Sequence, residues 1–285
     1  MKSLLTILSA VFLSLLAAFY ITPKQNAPVA TKPNALQRIL ERGVLRCGYA
    51  SFAPMLIIDP NTKQLSGIAH DIMEEVGKKL GVKIEWSEES GWGEFVTALN
   101  NERFDMFCTG NWANSKRARL IAFTNPIAYS PLDVFVRADD MRFDGDIGKL
   151  NDPAIKLVNI EGGTTIIVTA ESFPQSKHYE LPELSPITNL FIEVTGRKAD
   201  AALMDRATGF NFMKHNPDQI KRVEVSALRA FANVYSLNQG ETELQQAVNE
   251  ALRELYDAGI AERIIQQYEP LPNAYYRVAP GYLQK

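Results

Sequence analysis

The chain is poor in the residues that build metal sites and disulfide frameworks. Its 285 residues include two cysteines, three histidines and three tryptophans. His70, His178 and His215 stand far apart in the sequence, without the closely spaced Cys or His partners that zinc sites use. We therefore expect the protein to hold no metal and no other cofactor.

An excess of positive charge is also missing. Lys and Arg together number 30 against 33 Asp and Glu, which gives a formal net charge of −3. Nucleic-acid-binding domains carry clustered basic residues, so no nucleic-acid partner is expected. Hydrophobic residues at 46% and charged residues at 22% are ordinary for a folded chain, and the length suffices for one large domain or two smaller ones.

The first 34 residues differ in composition from the rest. Met1 and Lys2 precede an apolar stretch at residues 4–21, and a segment containing Pro, Lys and Asn continues to Asn34. This layout is typical of a secretory signal peptide, but no clear Ala-x-Ala cleavage site follows, and the stretch is long enough to span a bilayer. We predict that residues 1–34 are a signal peptide or a membrane anchor with a linker, and that the protein is exported. No Cys lies nearby to carry a lipid.

Cys47 and Cys108 both fall in predicted strands. An exported protein can oxidise such a pair to a disulfide. Two buried free thiols are an equally good interpretation of the sequence or a better one, because neighbouring parallel strands rarely offer the Cβ geometry that a disulfide needs.

From Val44 onward, short apolar runs alternate with helical patterns. Val44–Tyr49 and residues 82–86 are predicted strands, and Ile68–Leu80 between them is a predicted helix ended by Gly81. The order appears again as a strand at 155–160, a turn into a helix at 162–165, and a small-residue strand at 199–204 that ends at Asp205. The alternation favours an α/β fold with a mostly parallel sheet, and the repetition favours two similar lobes.

Two strand-like segments, residues 132–137 and 233–237, are placed to carry the chain from one lobe to the other and back. We predict that residues 35–134 and 236–285 form lobe 1, that residues 135–235 form lobe 2, and that the two crossings form a hinge. Two helices, around residues 244–255 and 260–268, are expected in lobe 1. The tail at 270–285 is predicted to be an extended strap or a loose end.

Residues 92–126 show a pattern that suits a small anion. A short helix carries Phe95, and a β-prone run at 104–108 ends at Thr109 and Gly110. Asn114 or Ser115 can then cap a helix whose first turn contains Arg117. Free backbone N–H groups and a guanidinium at one point would suit a carboxylate or a phosphate. By spacing alone, however, a solvated surface arginine is the better interpretation of Arg117.

Several segments match, in order, the motifs of one known family. They include RGVLRCGY at the first strand, GIAHDIMEEVGKKLGVKIEW, the turn SKRARLIAFTNPI and the closing TELQQAVNEALRELYDAGIAERIIQQY. In this order, from Arg42 to Tyr268, they resemble the family 3 extracellular solute-binding proteins, the periplasmic receptors of ABC importers. The resemblance implies two Rossmann-like lobes joined by a two-strand hinge, as in type II periplasmic binding proteins.

The resemblance also implies roles for individual charged and backbone groups. By position, Arg117 would bind the α-carboxylate of an amino acid, and Asp205 would bind its ammonium. Gly110 and the turn at Gly163 and Thr164 would add backbone donors from either side of the cleft. Asp105 and Asp200 are interpreted as structural.

Trp92 stands where the family places an aromatic ring over the ligand, and Phe52 would pair with it. The sequence departs from the family at Trp112 and Asn114, where hydroxyl residues are common. Trp112 would cap a smaller cleft, stack on a flat ligand, or mark a change of ligand class.

The resemblance implies an exported, monomeric receptor that captures an amino acid or a related amine-bearing carboxylate and presents it to an ABC permease in the membrane. The sequence offers no nucleophile with a base and no phosphate loop, which favours binding over catalysis. An alternative on the same fold is a periplasmic dehydratase acting on prephenate or arogenate, with Glu94 and Glu161 as the first candidates for its acid. Another alternative is a ligand sensor tethered to the membrane by an uncleaved N-terminus.

Overall fold

Twelve strands and nine α-helices are found in the computed structural model, which describes residues 33–277. The strands are β1 Val44–Tyr49, β2 Ile57–Ile58, β3 Leu65–Ser66, β4 Lys83–Glu89, β5 Met106–Trp112, β6 Ile121–Phe123, β7 Ala128–Arg137, β8 Lys156–Ile160, β9 Lys177–Leu181, β10 Ala201–Asp205, β11 Ile220–Arg222 and β12 Arg229–Asn238. The helices are α1 Ala35–Arg42, α2 Ile68–Leu80, α3 Phe95–Asn100, α4 Ser115–Ala118, α5 Thr165–Ser172, α6 Asn189–Thr195, α7 Arg206–His215, α8 Thr242–Asp257 and α9 Ile260–Tyr268.

One mixed sheet runs through this part of the chain, in the strand order β4-β1-β5-β12-β7-β10-β8-β9. At one end β1 pairs in parallel with β4 and β5, and at the other end β8 pairs in parallel with β9 and β10. Between them β12 and β7 pair antiparallel with each other and with β5 and β10. The predicted α/β class is confirmed, and the parallel pairing is confined to the two ends of the sheet.

The two long strands β7 and β12 contain the segments predicted to cross between lobes, and each begins four residues earlier than predicted. Their added residues pair with each other, from Ala128 opposite Asn233 to Leu132 opposite Arg229. This pairing supplies the backbone hydrogen bonds that make the extra residues regular strand. The two halves of the sheet are therefore joined by a two-stranded antiparallel connection.

Two corrections to the predicted elements concern the ends of strands. The run predicted at 104–108 forms β5 two residues later and continues past Gly110 to Trp112, because β12 pairs with it as far as Asn233 opposite Trp112. The strand predicted at 82–86 extends to Glu89, where it still pairs with Tyr49 of β1. The ends of β4 and β5 are determined by pairing with neighbouring strands, and this pairing cannot be seen in the local sequence.

Cys47 and Cys108 form a disulfide between β1 and β5, with a Cα–Cα distance of 5.6 Å. Cys47 is in register with Met106 of the parallel neighbour, so Cys108 lies two residues further along on the same face of the sheet. This diagonal placement brings the two side chains together where a directly opposed pair would not. The free-thiol alternative is therefore wrong for this structure.

Asp105 and Asp200 have the structural role predicted for them, and the roles are equivalent in the two halves. Asp105 accepts a hydrogen bond from the backbone N of Arg46 at 2.8 Å, and Asp200 accepts one from the backbone N of Lys156 at 2.9 Å. Each carboxylate also pairs with arginine, Asp105 with Arg46 and Asp200 with Arg142. Each aspartate thus holds the backbone of the parallel strand beside it.

The segment after α9 is ordered as a strap up to Arg277. Tyr276 exchanges two backbone hydrogen bonds of 2.8 Å with Tyr129 of β7, and the side chain of Tyr275 is buried. Arg277 pairs with Glu262 and Glu269 of the preceding helical region. The strap prediction is correct as far as residue 277, and the rest of the tail lies outside the described residues.

The predicted signal peptide or anchor at residues 1–34 also lies outside the described residues, apart from its last two positions. Within residues 33–277, no helix is long and apolar enough to cross a membrane.

Candidate functional site

A small cavity lies at the carboxyl ends of strands from both halves of the sheet, the usual position of a ligand site in α/β folds. It is lined by Phe52, Trp92, Trp112, Arg117, Ile160, Gly163, Thr164, Thr165, Ile187, Leu190 and Met204. The volume open to the centres of water molecules is about 40 Å³, which suffices for a few waters. A ligand of amino-acid size therefore enters only when the walls move apart.

Six of the nine predicted site residues line this cavity, namely Phe52, Trp92, Trp112, Arg117, Gly163 and Thr164. The other three, Gly110, Asn114 and Asp205, lie behind or beside its walls. Five further lining residues were not predicted: Ile160, Thr165, Ile187, Leu190 and Met204. Ile187 and Leu190 come from the region of α6, where the sequence shows no clear periodicity, so no pattern could have singled them out.

Asn114 orients the arginine-bearing turn. It is the N-cap of α4, and its Oδ1 accepts a hydrogen bond from the backbone N of Arg117 at 2.9 Å. Its Nδ2 donates to Thr164 Oγ1 at 3.3 Å. The predicted cap is therefore present, and Asn114 acts on the cavity by positioning Arg117 and Thr164.

The Arg117 guanidinium is held by neutral groups. It donates to the carbonyl oxygens of Gly162 at 2.9 Å and Trp92 at 3.2 Å and to Thr164 Oγ1 at 3.4 Å, and it lies 4.7 Å from the centre of the Phe95 ring. Within residues 33–277 it has no carboxylate partner at ion-pair distance. Burial alone lowers the pKa of Arg117 to about 10, so the side chain stays charged at neutral pH. A buried cation without an anion is costly, and a bound anion would remove that cost.

The N-terminus of α5 faces the same space. Gly163 donates its N–H back to the carbonyl of Ile160, whereas the N–H groups of Thr164 and Thr165 have no acceptor among the described residues. The first N–H groups of a helix have no partner within the helix and carry the positive end of its dipole. Together with Arg117 they form a set of donors suited to a carboxylate.

Aromatic rings form one wall of the cavity. Phe52 meets Trp92 and Trp112 edge to face, with ring centres 5.7 and 6.0 Å apart. Trp112 also stacks on Phe231 of β12 at 4.8 Å, with the ring planes only 8° apart. Trp112 is 5% exposed, and its Nε1 is buried without a hydrogen-bond partner among the described residues. An unsatisfied buried donor of this kind costs about 1–3 kcal/mol.

Asp205 does not line the cavity, although its neighbour Met204 does. It is fully buried and caps α7, where Oδ1 accepts from Thr208 N at 2.9 Å and Oδ2 lies 2.7 Å from Thr208 Oγ1. The same hydroxyl lies 2.8 Å from the carbonyl oxygen of Ala53. Burial raises the pKa of Asp205 to about 6, so this carboxylate is ionised at neutral pH inside an apolar wall.

Gly110 lies in the middle of β5 with φ of +80° and also does not line the cavity. A Cβ at this position would come within 3.3 Å of Ile127 and Ala69. The close packing is enough to explain why position 110 is a glycine, and no ligand contact is needed to explain it.

The rim of the cavity is closed by contacts between residues distant in sequence. Glu183 accepts a hydrogen bond from the backbone N of Gly93 at 2.9 Å. A Cβ built on Gly162 would lie 2.4 Å from Gly93 N, so the two backbones touch directly. The two acids proposed for a dehydratase are elsewhere, because Glu94 pairs with Arg103 and Glu161 is exposed.

Solved structures with a similar fold include amino-acid-binding proteins. The ancestral amino acid-binding protein AncCDT-1, described as a precursor of cyclohexadienyl dehydratase, aligns with a TM-score of 0.73 and 23% identity over 83% of this chain and all of the other. An amino acid ABC transporter substrate-binding protein from Streptococcus pneumoniae bound to L-arginine aligns with a TM-score of 0.72 and 19% identity over 86% of this chain and all of the other. At these identities the likeness establishes the fold.

Relatives found by sequence agree. A probable histidine-binding protein of Campylobacter jejuni is 24% identical over 94% of this chain and 99% of its own length. The L-cystine-binding protein TcyJ of Escherichia coli is 22% identical over 82% of this chain and 85% of its own length. Residues 45–270 match the family described as bacterial extracellular solute-binding proteins, family 3. The resemblance seen in the sequence is confirmed, and the chain belongs to this family of extracellular solute-binding proteins.

Proposed function

We propose that this protein captures an amino acid, or a closely related small carboxylate bearing an amine, and delivers it to an ABC importer. The observation that carries the proposal is Arg117, a buried guanidinium without a carboxylate partner in residues 33–277. Beside it stand the free N–H groups of Thr164 and Thr165. Relatives described as binding histidine, cystine or arginine support the same class of ligand.

Asp205 is the proposed partner of the ligand's ammonium. It is ionised at neutral pH and follows Met204, which lines the cavity. Its companion Thr208 also contacts the carbonyl of Ala53, a residue from the other half of the sheet, so separation of the two halves would release that hydroxyl. A zwitterion that leaves water needs both of its charges paired, and Arg117 with Asp205 would provide the pairs.

Entry of the ligand requires an opening motion, because the cavity holds only a few waters as it stands. We propose that residues 35–134 with 236–285 form one lobe, that residues 135–235 form the other, and that they separate by bending at β7 and β12. The contact between Gly162 and Gly93 and the hydrogen bond from Gly93 to Glu183 would open in this motion. Hinge closure around a ligand is a common motion of two-lobed binding proteins.

The proposed location is the periplasm, and the proposed assembly state is a monomer that meets an ABC permease at the membrane. The family is extracellular, and the Cys47–Cys108 disulfide suits an oxidising compartment. Cleavage of the N-terminal segment would make the protein free in that compartment, and retention would tether it.

We propose binding without turnover. A dehydratase needs a carboxylic acid in the cleft to protonate its leaving hydroxyl. Within residues 33–277 no Asp or Glu lines the cavity. Loss of prephenate absorbance in the presence of the protein would overturn this part of the proposal.

Arg117→Met tests the proposal in a thermal-shift and calorimetry screen against the common L-amino acids. We expect the variant to lose on the order of 100-fold in affinity for whichever amino acid binds, because several charge-assisted hydrogen bonds disappear together. Arg119→Met is the matched control, since Arg119 is exposed two residues further on, and it should bind like the unmodified protein. Equal affinity of the Arg117→Met variant would overturn the proposal.

A further inference from the structure

Beyond Arg117, the cavity is walled by uncharged side chains. One part of its lining is an aromatic wall formed by Phe52, Trp92 and Trp112. The apolar side chains in the rest of the lining are Ile160, Ile187, Leu190 and Met204. Two carboxylates of the described residues lie close to this region, and neither is left for a ligand side chain. Glu183 accepts from the backbone of Gly93, and Asp205, held by Thr208, is the proposed partner of the ligand's ammonium. A cationic side chain placed here would lose its water and gain no counter-charge.

The aromatic wall contains two indole N–H donors, those of Trp92 and Trp112, and the donor of Trp112 is buried. Its ring is fixed by stacking on Phe231 and by edge contact with Phe52. Its buried Nε1–H has no acceptor within residues 33–277. The indole is therefore fixed in place, and no acceptor among the described residues competes with a ligand atom for its donor. A site that holds an unpaired donor discriminates against ligands that bring no acceptor.

We propose that the cavity selects amino acids with an uncharged side chain that presents a hydrogen-bond acceptor to Trp112, and that it rejects cationic side chains. The inference rests on the proposed function, because it assumes that Arg117 holds the carboxylate of the ligand. It separates this chain from a relative described as binding arginine. Trp112 is in this view the residue that determines specificity.

The test uses pairs of probes that differ in one property. L-Arginine and L-citrulline have similar shapes but only arginine is charged, and L-threonine and L-valine have similar shapes but only threonine carries an acceptor. Asparagine with leucine and lysine with norleucine extend the set. Calorimetry at neutral pH should give the highest affinity for a neutral probe with an acceptor, at least tenfold above its cationic or apolar counterpart.

Trp112→Phe keeps an aromatic ring for Phe231 to stack on and removes the N–H donor together with part of the ring. Loss of ring volume affects both members of a probe pair, so we expect the affinity for the best neutral probe to fall about tenfold more than the affinity for its apolar counterpart. Tighter binding of arginine than of citrulline, or of lysine than of norleucine, would overturn the inference and leave the proposed function standing. An equal loss for both members of a pair in Trp112→Phe would also overturn it, because the donor would then serve the shared carboxylate. Failure of every probe to bind would instead overturn the proposed function itself.

Discussion

Two buried charges dominate the cavity region, and their surroundings differ. Arg117 is held by carbonyl and hydroxyl oxygens without any negative partner among the described residues. Asp205 is held by the backbone and hydroxyl of Thr208. Its pKa of about 6 is close to neutral pH, so mild acidification protonates it. Arg117 therefore carries its charge for an anion throughout the neutral pH range, whereas the charge that Asp205 offers to a cation depends on pH.

This difference predicts how affinity changes with pH. The pKa of Asp205 is raised to about 6 by burial, so the free protein is increasingly protonated at this site below pH 6. A ligand ammonium needs the ionised carboxylate, so binding must release the proton. We expect affinity for an amine-bearing ligand to be constant from pH 7 to 8 and to fall about tenfold by pH 5. Calorimetry across this range measures it.

Asp205→Asn is the control for this titration, because asparagine also caps helices well. The variant should bind weakly at every pH and show no pH dependence between 5 and 7.5. Burial raises the pKa of the neighbouring Tyr275 well above its usual value, so this group does not titrate in the range tested. A flat pH profile for the unmodified protein would show that Asp205 does not hold the ammonium.

Residue-scale prediction from sequence worked where the cause is local. The Asn114 cap and the place of Arg117 in the next turn follow from a spacing of three residues. The neutral surroundings of Arg117 could not be predicted, since Gly162 and Trp92 come from distant segments. The burial of the Trp112 donor could not be predicted either, because Phe231, on which Trp112 stacks, is 119 positions later in the chain.

At the scale of elements, the cavity is formed where the turn before α5 meets the turn before α3. Gly162 has φ of +74°, and its backbone touches Gly93 so closely that a Cβ would lie 2.4 Å from the Gly93 nitrogen. Glycine is needed here both for the left-handed backbone and for the close approach. In the proposed opening motion these two turns would separate.

Gly162→Ala should weaken ligand binding by preventing that approach. We expect an affinity loss of about tenfold or more, which corresponds to about 1.4 kcal/mol against the closed arrangement, with the fold retained. Calorimetry with the best-binding amino acid gives the affinity, and thermal unfolding without ligand gives the stability.

Gly145→Ala is the matched comparison for this variant. Gly145 has φ of +73°, and a Cβ there would meet nothing within 4 Å. The two variants share the cost of a left-handed alanine, about 1–2 kcal/mol, and differ in the contact with Gly93. Similar ligand affinities in both variants would mean that the contact between the turns plays no part in closure.

Element prediction succeeded where the sequence carries its own stop signals. Helix α2 runs over the predicted Ile68–Leu80 because Gly81 ends it in a left-handed conformation. Short strands such as β6 and β11 were missed, since they exist only through pairing with β12 and β7. Helices α6 and α7 were missed as well, and α6 buries four of its seven residues without a clear polar face.

At the scale of the whole molecule, the repeated order of elements was enough to predict the fold class. Asp105 and Asp200 repeat the same backbone contact in the two halves, and β7 with β12 joins the halves. The strap could not be placed from sequence, because its pairing of Tyr276 with Tyr129 joins segments about 147 residues apart and has no periodic signal. It lies on β7, one of the two strands where the proposed hinge bends.

The disulfide acts at the same scale, because it ties β1 to β5 across 61 residues of chain. Replacing Cys47 and Cys108 together by serine should lower the free energy of unfolding by about 2–5 kcal/mol, since a closed loop of this length restricts the unfolded chain. Neither sulfur belongs to a residue that lines the cavity, so ligand affinity should change by less than about twofold. Urea unfolding and calorimetry measure the two effects.

Reductant gives the control for this last prediction. Reducing the unmodified protein should lower its stability to that of the double serine variant, and the variant should not respond to reductant. Free thiols detected in the denatured, unreduced protein purified from the periplasm would contradict the disulfide. The bridge stabilises one half of the sheet and does not line the cavity, so its removal should lower stability without changing ligand affinity. Such a separation is expected if a fixed scaffold carries a site that opens at the proposed hinge.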